Sequence, residues 1–227
     1  SGGNITTSGS AAAEVSDGDV AAAAAEMSKH PGRSIALAAP EVPLAVRLRF
    51  LESSAVHGAL KAAAFASAEM EQARALKMFS LVDLMALNED EAGVLTGAEL
   101  DADDPEDFLE DTAAVLTGFN PEMKIVLSAG AHGAFGYEKG RWEHCPAIEV
   151  PVVSTAGAGD ALLGGVIAAL AGGAPLIAPG ASRTDFASKP IICALDLAVL
   201  LASFTVTSPH SIHPEADARR LEDFAGE

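Results

Sequence analysis

Short apolar segments alternate with longer segments of helical periodicity through the first hundred residues of this chain. Apolar runs of strand length occupy residues 34–38, 60–65 and 82–87, and helical spacing of apolar residues fills the intervals 43–56 and 69–79. Such an alternation is typical of a mainly parallel sheet with helices on both faces. The pattern predicts an α/β fold in three layers, α/β/α, with a mainly parallel central sheet.

The second half of the chain continues with strands, a β-hairpin and further helices. A turn at Lys139-Gly140 is predicted to join the two hairpin strands. A last apolar strand is expected to lead into a glycine-rich segment that opens an apolar helix. The predicted strands are 124–128, 134–137, 141–146 and 150–153, and the predicted helices include 16–27, 88–96, 108–116, 161–170, 190–204 and 214–224.

The chain is predicted to form a single domain after a short tail. Residues 1–12 are rich in Gly, Ser and Thr and are expected to be a flexible N-terminal segment, whereas residues 13–227 contain no internal repeat and no obvious linker. The polar stretch 180–189 is expected to be a loop. Aromatic residues make up only 5% of a chain that is 49% apolar, so alanine and small aliphatic side chains must do most of the packing.

The charge balance argues against one class of partner. The chain carries 14 basic and 32 acidic residues, which gives a formal net charge of −18. A surface of this charge repels a phosphate backbone, so no nucleic-acid partner is expected. An anionic nucleotide would need local help from main-chain N–H groups, from a helix N-terminus or from a cation.

The sequence predicts neither a membrane partner nor secretion. The longest apolar run, residues 191–206, contains Asp196 and is short for a membrane span, so a buried helix is predicted. The N-terminus lacks a basic region followed by an apolar stretch, as a signal peptide would have. Two cysteines, Cys145 and Cys193, without a C-x-x-C pattern favour a reduced, cytoplasmic setting.

The segment from Ser154 to Asp160 is the strongest candidate for chemistry. Tiny residues link a predicted apolar strand to an apolar helix, and Gly157 and Gly159 let the main chain approach a ligand closely. Free N–H groups at the start of the helix make an anion site. Asp160 is either a base that takes a proton from an attacking hydroxyl, as a kinase requires, or a carboxylate that only complements the helix dipole. This segment alone leaves the two interpretations about even.

Three segments together resemble the ribokinase/PfkB family of carbohydrate kinases. Thr155-Ala156-Gly157-Ala158-Gly159-Asp160 resembles the second signature of that family. Residues 87–97 resemble its N-x-x-E segment, and residues 125–134 resemble the strand and glycine turn beside the nucleotide. The segments occur in the family order, and the resemblance covers roughly residues 8–214. It implies a ribokinase-like fold and an ATP-dependent kinase of sugars or nucleosides.

The resemblance also implies a role for each matched residue. Asp160 is the general base for the substrate hydroxyl, and the N–H groups of Gly157, Ala158 and Gly159 form the anion hole. Glu91 acts on the shell of a magnesium ion, through water. The residues implied to bind or border the nucleotide are Asn88, Ser128, Gly130, Gly133 and Thr155. The implied cofactors are ATP and Mg²⁺.

Simpler interpretations exist for four of these residues. Asn88 and Glu91 could only open a helix, because Asn is a good cap and Glu suits the third helical position. Gly130 and Gly133 could be turn glycines with no ligand. The shared order of the three segments is what favours the functional interpretation over these alternatives.

The sequence departs from the family pattern in four places, one of which is the segment 205–211, where members usually have a Gly-Ala pair after a strand start. Members usually begin with a segment that holds a di-glycine motif, lid strands and most sugar contacts, whereas this chain starts near the middle of the pattern, and Gly2-Gly3-Asn4 is only a faint match. The domain is therefore expected to be incomplete at its N-terminal side, with an exposed sheet edge covered by a second copy, as in a homodimer, or by another chain. Ser154 replaces an Asp that contributes to a monovalent-cation site in several members, so potassium activation is not expected. The loop 173–190 is also unusual, which leaves nucleotide preference open.

Three functions remain open on the sequence. The leading hypothesis is transfer of the ATP γ-phosphoryl group to a hydroxyl of a small polyol. A second is a non-catalytic nucleotide-binding or assembly module, and a third is a truncated kinase fragment. A metal site at His210 and His213 is disfavoured, because Pro209 and Pro214 flank the pair and no third ligand is evident.

Overall fold

The computed structural model of the protein describes residues 11–179 and 191–225. The predicted loop 180–189 and the segment Gly2-Gly3-Asn4 lie outside the described residues, as does most of the predicted flexible N-terminal segment. Ala11–Glu14, at the end of that segment, form a single 3₁₀ turn. No helix within the described residues combines the length and the apolar character needed to cross a bilayer.

Six strands among the described residues form one sheet, in the same order as in the chain. The first three are parallel neighbours, with Ala62 of the second strand opposite Leu37 of the first and Leu84 of the third. The last two are antiparallel. The strands are β1 (Ile35–Ala38), β2 (Leu60–Ala64), β3 (Leu84–Asn88), β4 (Lys124–Ser128), β5 (Ala134–Glu138) and β6 (Arg141–Cys145).

The predicted hairpin is confirmed at its turn as well as in its strands. Lys139 and Gly140 both adopt left-handed backbone angles, with φ of 53° and 77°. Two consecutive residues of positive φ give a turn whose twist matches that of the strands it joins. The register pairs Glu138 with Arg141 directly across the turn.

Eight α-helices among the described residues connect and follow the strands. Ser16 caps the first helix, and its main-chain N–H and hydroxyl both donate to the Asp19 carboxylate. The helices are α1 (Asp17–Met27), α2 (Leu44–Val56), α3 (Met70–Ala75), α4 (Glu89–Thr96), α5 (Glu106–Thr117), α6 (Ala158–Ala171), α7 (Ala194–Thr205) and α8 (Ala218–Ala225).

The chain divides into two compact units, which are described separately. Residues 3–125 hold β1 to β3, the start of β4 and helices α1 to α5. Alanine supplies much of the core here, as the low aromatic content requires, and Ala62 and Ala63 of β2 are fully buried. One charged side chain is also buried in this unit. Arg47 of α2 is 1% exposed and donates to the carbonyl of Ala64 and to the Glu69 carboxylate.

Residues 126–227 hold the rest of the sheet and helices α6 to α8. Helices α6 and α7 lie in close contact, because Gly165 of α6 has no side chain to separate it from Ala198 of α7. The lack of a side chain at Gly136 likewise lets β5 approach its neighbours, since a Cβ at Gly136 would lie 2.7 Å from Ile177 Cγ2. Small residues thus set the spacing of the layers in this unit.

Several sequence-based assignments are wrong, three of them for identifiable reasons; in addition, the helices predicted to begin at 190 and 214 begin at Ala194 and Ala218. The predicted strand 150–153 is not a strand; Val152 and Val153 are 61% and 59% exposed, and no strand of the described residues pairs with them. The predicted helix 69–79 stops early, because Lys77 adopts a left-handed backbone (φ 56°) that α-helix cannot accommodate. Helix α6 begins one turn sooner than predicted, so that Ala158, Gly159 and Asp160 form its first turn.

Candidate functional site

A cavity of about 530 Å³ opens in the unit formed by residues 126–227. This volume falls in the range of small-molecule binding sites. Six of the residues predicted from sequence to handle a nucleotide line it together, although they come from two separate segments. They are Ser128, Gly130, Gly133, Thr155, Ala158 and Gly159.

One wall of this cavity is apolar. Leu162 of α6 and Val199, Ala202 and Val206 on and just after α7 contribute aliphatic side chains. The hydroxyl of Ser203 also reaches the cavity, where it accepts a hydrogen bond from the Ile148 N–H at 3.3 Å. A flat, largely apolar ring system suits such a wall, whereas a phosphate group does not.

The N-terminus of α6 forms the polar end of the cavity. Gly157 is the residue before the helix and has a left-handed backbone (φ 84°). The N–H of Ala158 already donates to the Thr155 carbonyl at 3.3 Å. Of the three N–H groups predicted to form an anion hole, those of Gly157 and Gly159 have no hydrogen-bond partner among the described residues. A helix N-terminus with free N–H groups is a ready site for an anion.

Asp160 occupies the third position of α6 and is exposed. The residue before the helix, Gly157, has no side chain with which Asp160 could complete a capping box. The Asp160 carboxylate therefore stays available to solvent and to a ligand, and it also lies where a negative charge is favourable to the helix dipole. Both interpretations of this residue remain compatible with its position.

Main-chain groups of the segment that follows α7 hold the turn before α6. The carbonyl of Val206, at the end of α7, accepts hydrogen bonds from the N–H groups of Val153 and Ser154 at 2.8 and 3.2 Å. The Ser154 hydroxyl accepts from the Ala156 N–H at 3.2 Å. On the other side, the carbonyl of Ser211 lies so close to Gly157 that a Cβ there would be 1.9 Å from the oxygen. No local pattern could have indicated these main-chain contacts across fifty residues.

Close packing requires a glycine at position 133, in the turn that follows β4. Gly133 has a φ of 92°, and a Cβ at this position would lie 2.1 Å from the Cys145 carbonyl. The Ala129 N–H donates to the Gly133 carbonyl at 2.9 Å, which closes the turn. Gly130 also has positive φ (53°), but the space around it is open. The turn-glycine interpretation therefore explains Gly133, while both glycines still border the cavity.

Asn88 and Glu91 lie in the other unit, at the junction of β3 and α4. They form a reciprocal capping box: the Glu91 N–H donates to Asn88 Oδ1 at 2.8 Å, and the Asn88 N–H donates to Glu91 Oε2 at 2.9 Å. The simpler interpretation, a helix start, is thus correct for their main-chain contacts. One Glu91 oxygen, Oε1, is not used by the box.

Burial raises the pKa of Glu91 above its ordinary value. The hydrogen bond from the Asn88 N–H opposes this shift, whereas the nearby carboxylates of Asp90 and Glu69 add to it. Glu69 itself is held by Arg47 and by a hydrogen bond from the Ala66 N–H. A bound cation would stabilise the charged form of such a half-buried carboxylate, because its positive charge offsets the cost of burial and the repulsion by the acidic neighbours.

The donor set around Glu91 fits magnesium as a partial ligand. Within residues 11–179 and 191–225, no three His, Cys, Asp or Glu side chains converge as a metal site. Magnesium commonly keeps several waters and takes one or two carboxylates together with substrate phosphates. A single free oxygen of Glu91 meets that requirement through water.

Comparison with known proteins identifies the family. The model of the "pfkB family carbohydrate kinase" matches residues 9–218. Probable fructokinase-7 of Arabidopsis thaliana is 32% identical over 106 residues, which are 46% of this chain and 29% of that protein.

Two solved structures illustrate the shared fold. Ribokinase from Thermotoga maritima superposes with a TM-score of 0.60 at 17% identity, over 90% of this chain and 59% of that one. Aminoimidazole riboside kinase from Salmonella enterica, solved with aminoimidazole riboside and an ATP analogue, also gives 0.60, at 22% identity over 79% and 57%. This chain thus spans less than two thirds of these relatives. The α/β fold with a mainly parallel sheet is confirmed as ribokinase-like, and the chain belongs to the pfkB family of carbohydrate kinases.

Proposed function

We propose that this chain carries the nucleotide site and the phosphoryl-transfer site of an ATP-dependent carbohydrate or nucleoside kinase. The observation that supports this most directly is the single cavity of about 530 Å³ in which an apolar wall meets the N-terminus of α6. A nucleoside triphosphate has the same two-part chemistry, with a flat base at one end and a chain of negative charge at the other.

The nucleotide would bind with its base against the apolar wall and its phosphates toward α6. Val199 and Ala202 offer aliphatic contact to the base, and Gly130 and Gly133 leave room beside it. The N–H groups of Gly157 and Gly159 would hold phosphate oxygens. These local donors matter in a chain of net charge −18, because the overall field repels an anion.

Asp160 would serve as the general base. Its carboxylate takes the proton of the acceptor hydroxyl as the hydroxyl oxygen bonds to the γ-phosphorus and the bond to the β-phosphate oxygen breaks. The products are a phosphorylated acceptor and ADP, and the proton resides on Asp160 until it passes to solvent. The N–H groups at the helix start would stabilise the negative charge of the phosphoryl group in transit.

The family resemblance supports a role in magnesium binding for Glu91 and in phosphate binding for Asn88. When bound, the ion supplies charge neutralisation to the phosphate oxygens. Glu91 contributes its free oxygen, and the capping box fixes the orientation of the side chain. The Asn88 amide keeps its NH₂ group for a phosphate oxygen, because only Oδ1 is used in the box.

The acceptor is proposed to be a sugar or a nucleoside, in a cytoplasmic setting. The related aminoimidazole riboside kinase binds a riboside, and the match to a fructokinase extends the class to free sugars. Cys145 and Cys193 are both buried and are not joined in a disulfide, as expected in a reducing compartment.

The test combines titration calorimetry with a kinase assay. ATP with magnesium is titrated into the wild type, and turnover is measured with ATP over a panel of sugars and nucleosides. Asp160→Asn is expected to keep ATP binding and to lose at least about a hundredfold in turnover, the usual scale of general-base catalysis. Asp107→Asn is the matched control, because Asp107 is an exposed carboxylate in the first turn of α5.

The outcomes separate the open hypotheses. Full turnover by Asp160→Asn would show that the assigned base is wrong. Binding of ATP without turnover on any acceptor would favour the non-catalytic module instead. An absence of ATP binding would contradict the proposed nucleotide site altogether.

A further inference from the structure

The loop that follows α7 holds in place the turn before α6, residues 153–157. This loop, residues 206–214, touches the turn at two points through its main chain. The Val206 carbonyl accepts from the N–H groups of Val153 and Ser154, and the Ser211 carbonyl lies against Gly157. The first contact fixes where the turn begins, and the second fixes Gly157, the residue before α6.

The first contact point has its own support, since Val206 directly follows a buried helix. Ser211 lies five residues further on and needs a second anchor. Ile212, its neighbour, is 82% exposed and supplies none. On the N-terminal side, the His210 N–H donates at 3.1 Å to the hydroxyl of Ser208, which is buried, so the loop is held as far as residue 210 and the anchor still needed lies after Ser211.

The ring of His213 provides that anchor. It stacks on Phe204 of α7, with ring centroids 4.0 Å apart and planes inclined by 27°. Phe204 is 8% exposed and also contacts Phe224 of α8. The ring also makes a hydrogen bond, because His213 Nδ1 accepts from the Glu215 N–H at 3.1 Å. His213 thus ties the end of the loop to the rigid part of the unit.

We propose that His213 is a positioning residue for the anion hole: by stacking on Phe204 it holds the Ser211 carbonyl against Gly157 and so aims the N–H groups at the start of α6. This inference rests on the proposed function, since it assigns a purpose to the anion site. It gives a role to a histidine for which the sequence only disfavoured metal binding.

The geometry explains why a small movement of Ser211 would matter. Gly157 has a left-handed backbone and no Cβ, so the Ser211 carbonyl is the group that packs directly on it. Without that support the turn can rotate about its glycines, whose backbone angles are the least restricted. Hydrogen bonds weaken steeply as the donor direction departs from the acceptor. Loss of the anchor should therefore weaken the hold on phosphate and spare the hold on the base.

The experiment compares two ligands that differ only in phosphate. The affinities of ATP with magnesium and of adenosine are measured by titration calorimetry on the full chain, and their ratio reports the contribution of the phosphates. His213→Ala is expected to lower this ratio roughly fivefold to tenfold, the effect of weakening one or two charge-assisted hydrogen bonds. The affinity for adenosine is expected to stay unchanged.

Three further variants keep the test decisive. His213→Phe preserves the stack on Phe204 and is expected to restore most of the ratio. Ile212→Ala alters the exposed neighbour and is expected to change nothing. If His213→Ala does not fold, His213→Leu, which keeps apolar volume without a planar ring, takes its place with the same expectation.

The results distinguish this inference from the proposed function. An unchanged ratio in His213→Ala, with adenosine still bound, would overturn the positioning role and leave the nucleotide site intact. Equal losses for ATP and adenosine would show a general structural role and would also overturn it. Failure of the wild type to bind either ligand would contradict the proposed function itself, and the inference with it.

Discussion

Gly165 of α6 lies directly against the main chain of Ala198 on α7. A Cβ built at Gly165 would be 2.7 Å from the Ala198 Cα, which is closer than real Cβ atoms come, and 3.1 Å from its nitrogen. The preceding residue, Gly164, is exposed and has nothing within 4 Å of the same position. Two consecutive glycines of one helix thus have opposite environments.

This pair gives a direct test of the helix packing. Gly165→Ala is expected to destabilise the protein by about 1–3 kcal/mol, because the helices must separate to admit a methyl group. Gly164→Ala is expected to stabilise it by up to about 1 kcal/mol, the usual gain from replacing glycine within a helix. Chemical denaturation measures both. Similar effects of the two substitutions would show that α6 and α7 do not pack as closely as described.

Arg47 gives a second prediction, on a buried charge. Its guanidinium contacts Glu69 and the Ala64 carbonyl and lies 5.2 Å from the centre of the Phe65 ring, while its Nε is buried with no hydrogen-bond partner. Arg47→Met is expected to cost about 3 kcal/mol of unfolding free energy, because it leaves the Glu69 carboxylate without its counter-charge.

Arg49, two residues along the same helix, is the matched control. Its ion pair with Asp17 is largely exposed on both sides. Arg49→Met is therefore expected to change stability by no more than about 0.5–1 kcal/mol. Adding Glu69→Gln to Arg47→Met should recover part of the loss; a double variant as unstable as the sum of the two single ones would contradict this explanation.

A third prediction concerns the pH dependence of stability at Glu91. Burial raises the pKa of this carboxyl from 4.5, so the folded state favours its protonated form. The resulting stabilisation is fully present below the ordinary pKa and is lost as the pH rises through the raised value. Glu91→Gln keeps an acceptor for the Asn88 N–H but carries no charge. The variant should therefore gain stability relative to the wild type as the pH rises above 4.5.

Thermal melts over a pH series, without divalent cations, measure this difference. Glu89→Gln is the control, since Glu89 is an exposed carboxylate in the same first turn of α4. Added magnesium should stabilise the wild type more than Glu91→Gln if Glu91 serves the ion. A difference between wild type and Glu91→Gln that does not vary with pH would show that burial does not govern this carboxyl.

A fourth prediction concerns thiol reactivity. Burial raises the pKa of Cys193 to about 12, and both cysteines are 1% exposed. The thiolate is the reactive form, so neither residue should react with a thiol reagent near neutral pH while the protein is folded. Two thiols should react after unfolding. Ser80→Cys, at an exposed position, supplies a positive control, and rapid labelling of the native wild type would contradict the burial of these side chains.

Sequence reasoning worked where the signal is local. The helix start at Asn88 and Glu91 depends on residues three apart, and the hairpin turn depends on two adjacent ones, so both were predictable. Reasoning failed at Val150–Val153, where an apolar run of strand length has no partner strand to complete it. Whether such a run pairs is decided by what lies beside it, which no local pattern contains.

The sequence by itself determined the order of the elements, the glycine-rich start of α6 and the family to which the chain belongs. Only the tertiary structure decided what surrounds that helix start: the Val206 and Ser211 carbonyls that hold the turn, the aliphatic wall from α7, and the His213 ring on Phe204. The reason is physical. Periodicity and capping act between residues a few positions apart, whereas these contacts join segments fifty residues apart and depend on how closely two helices pack.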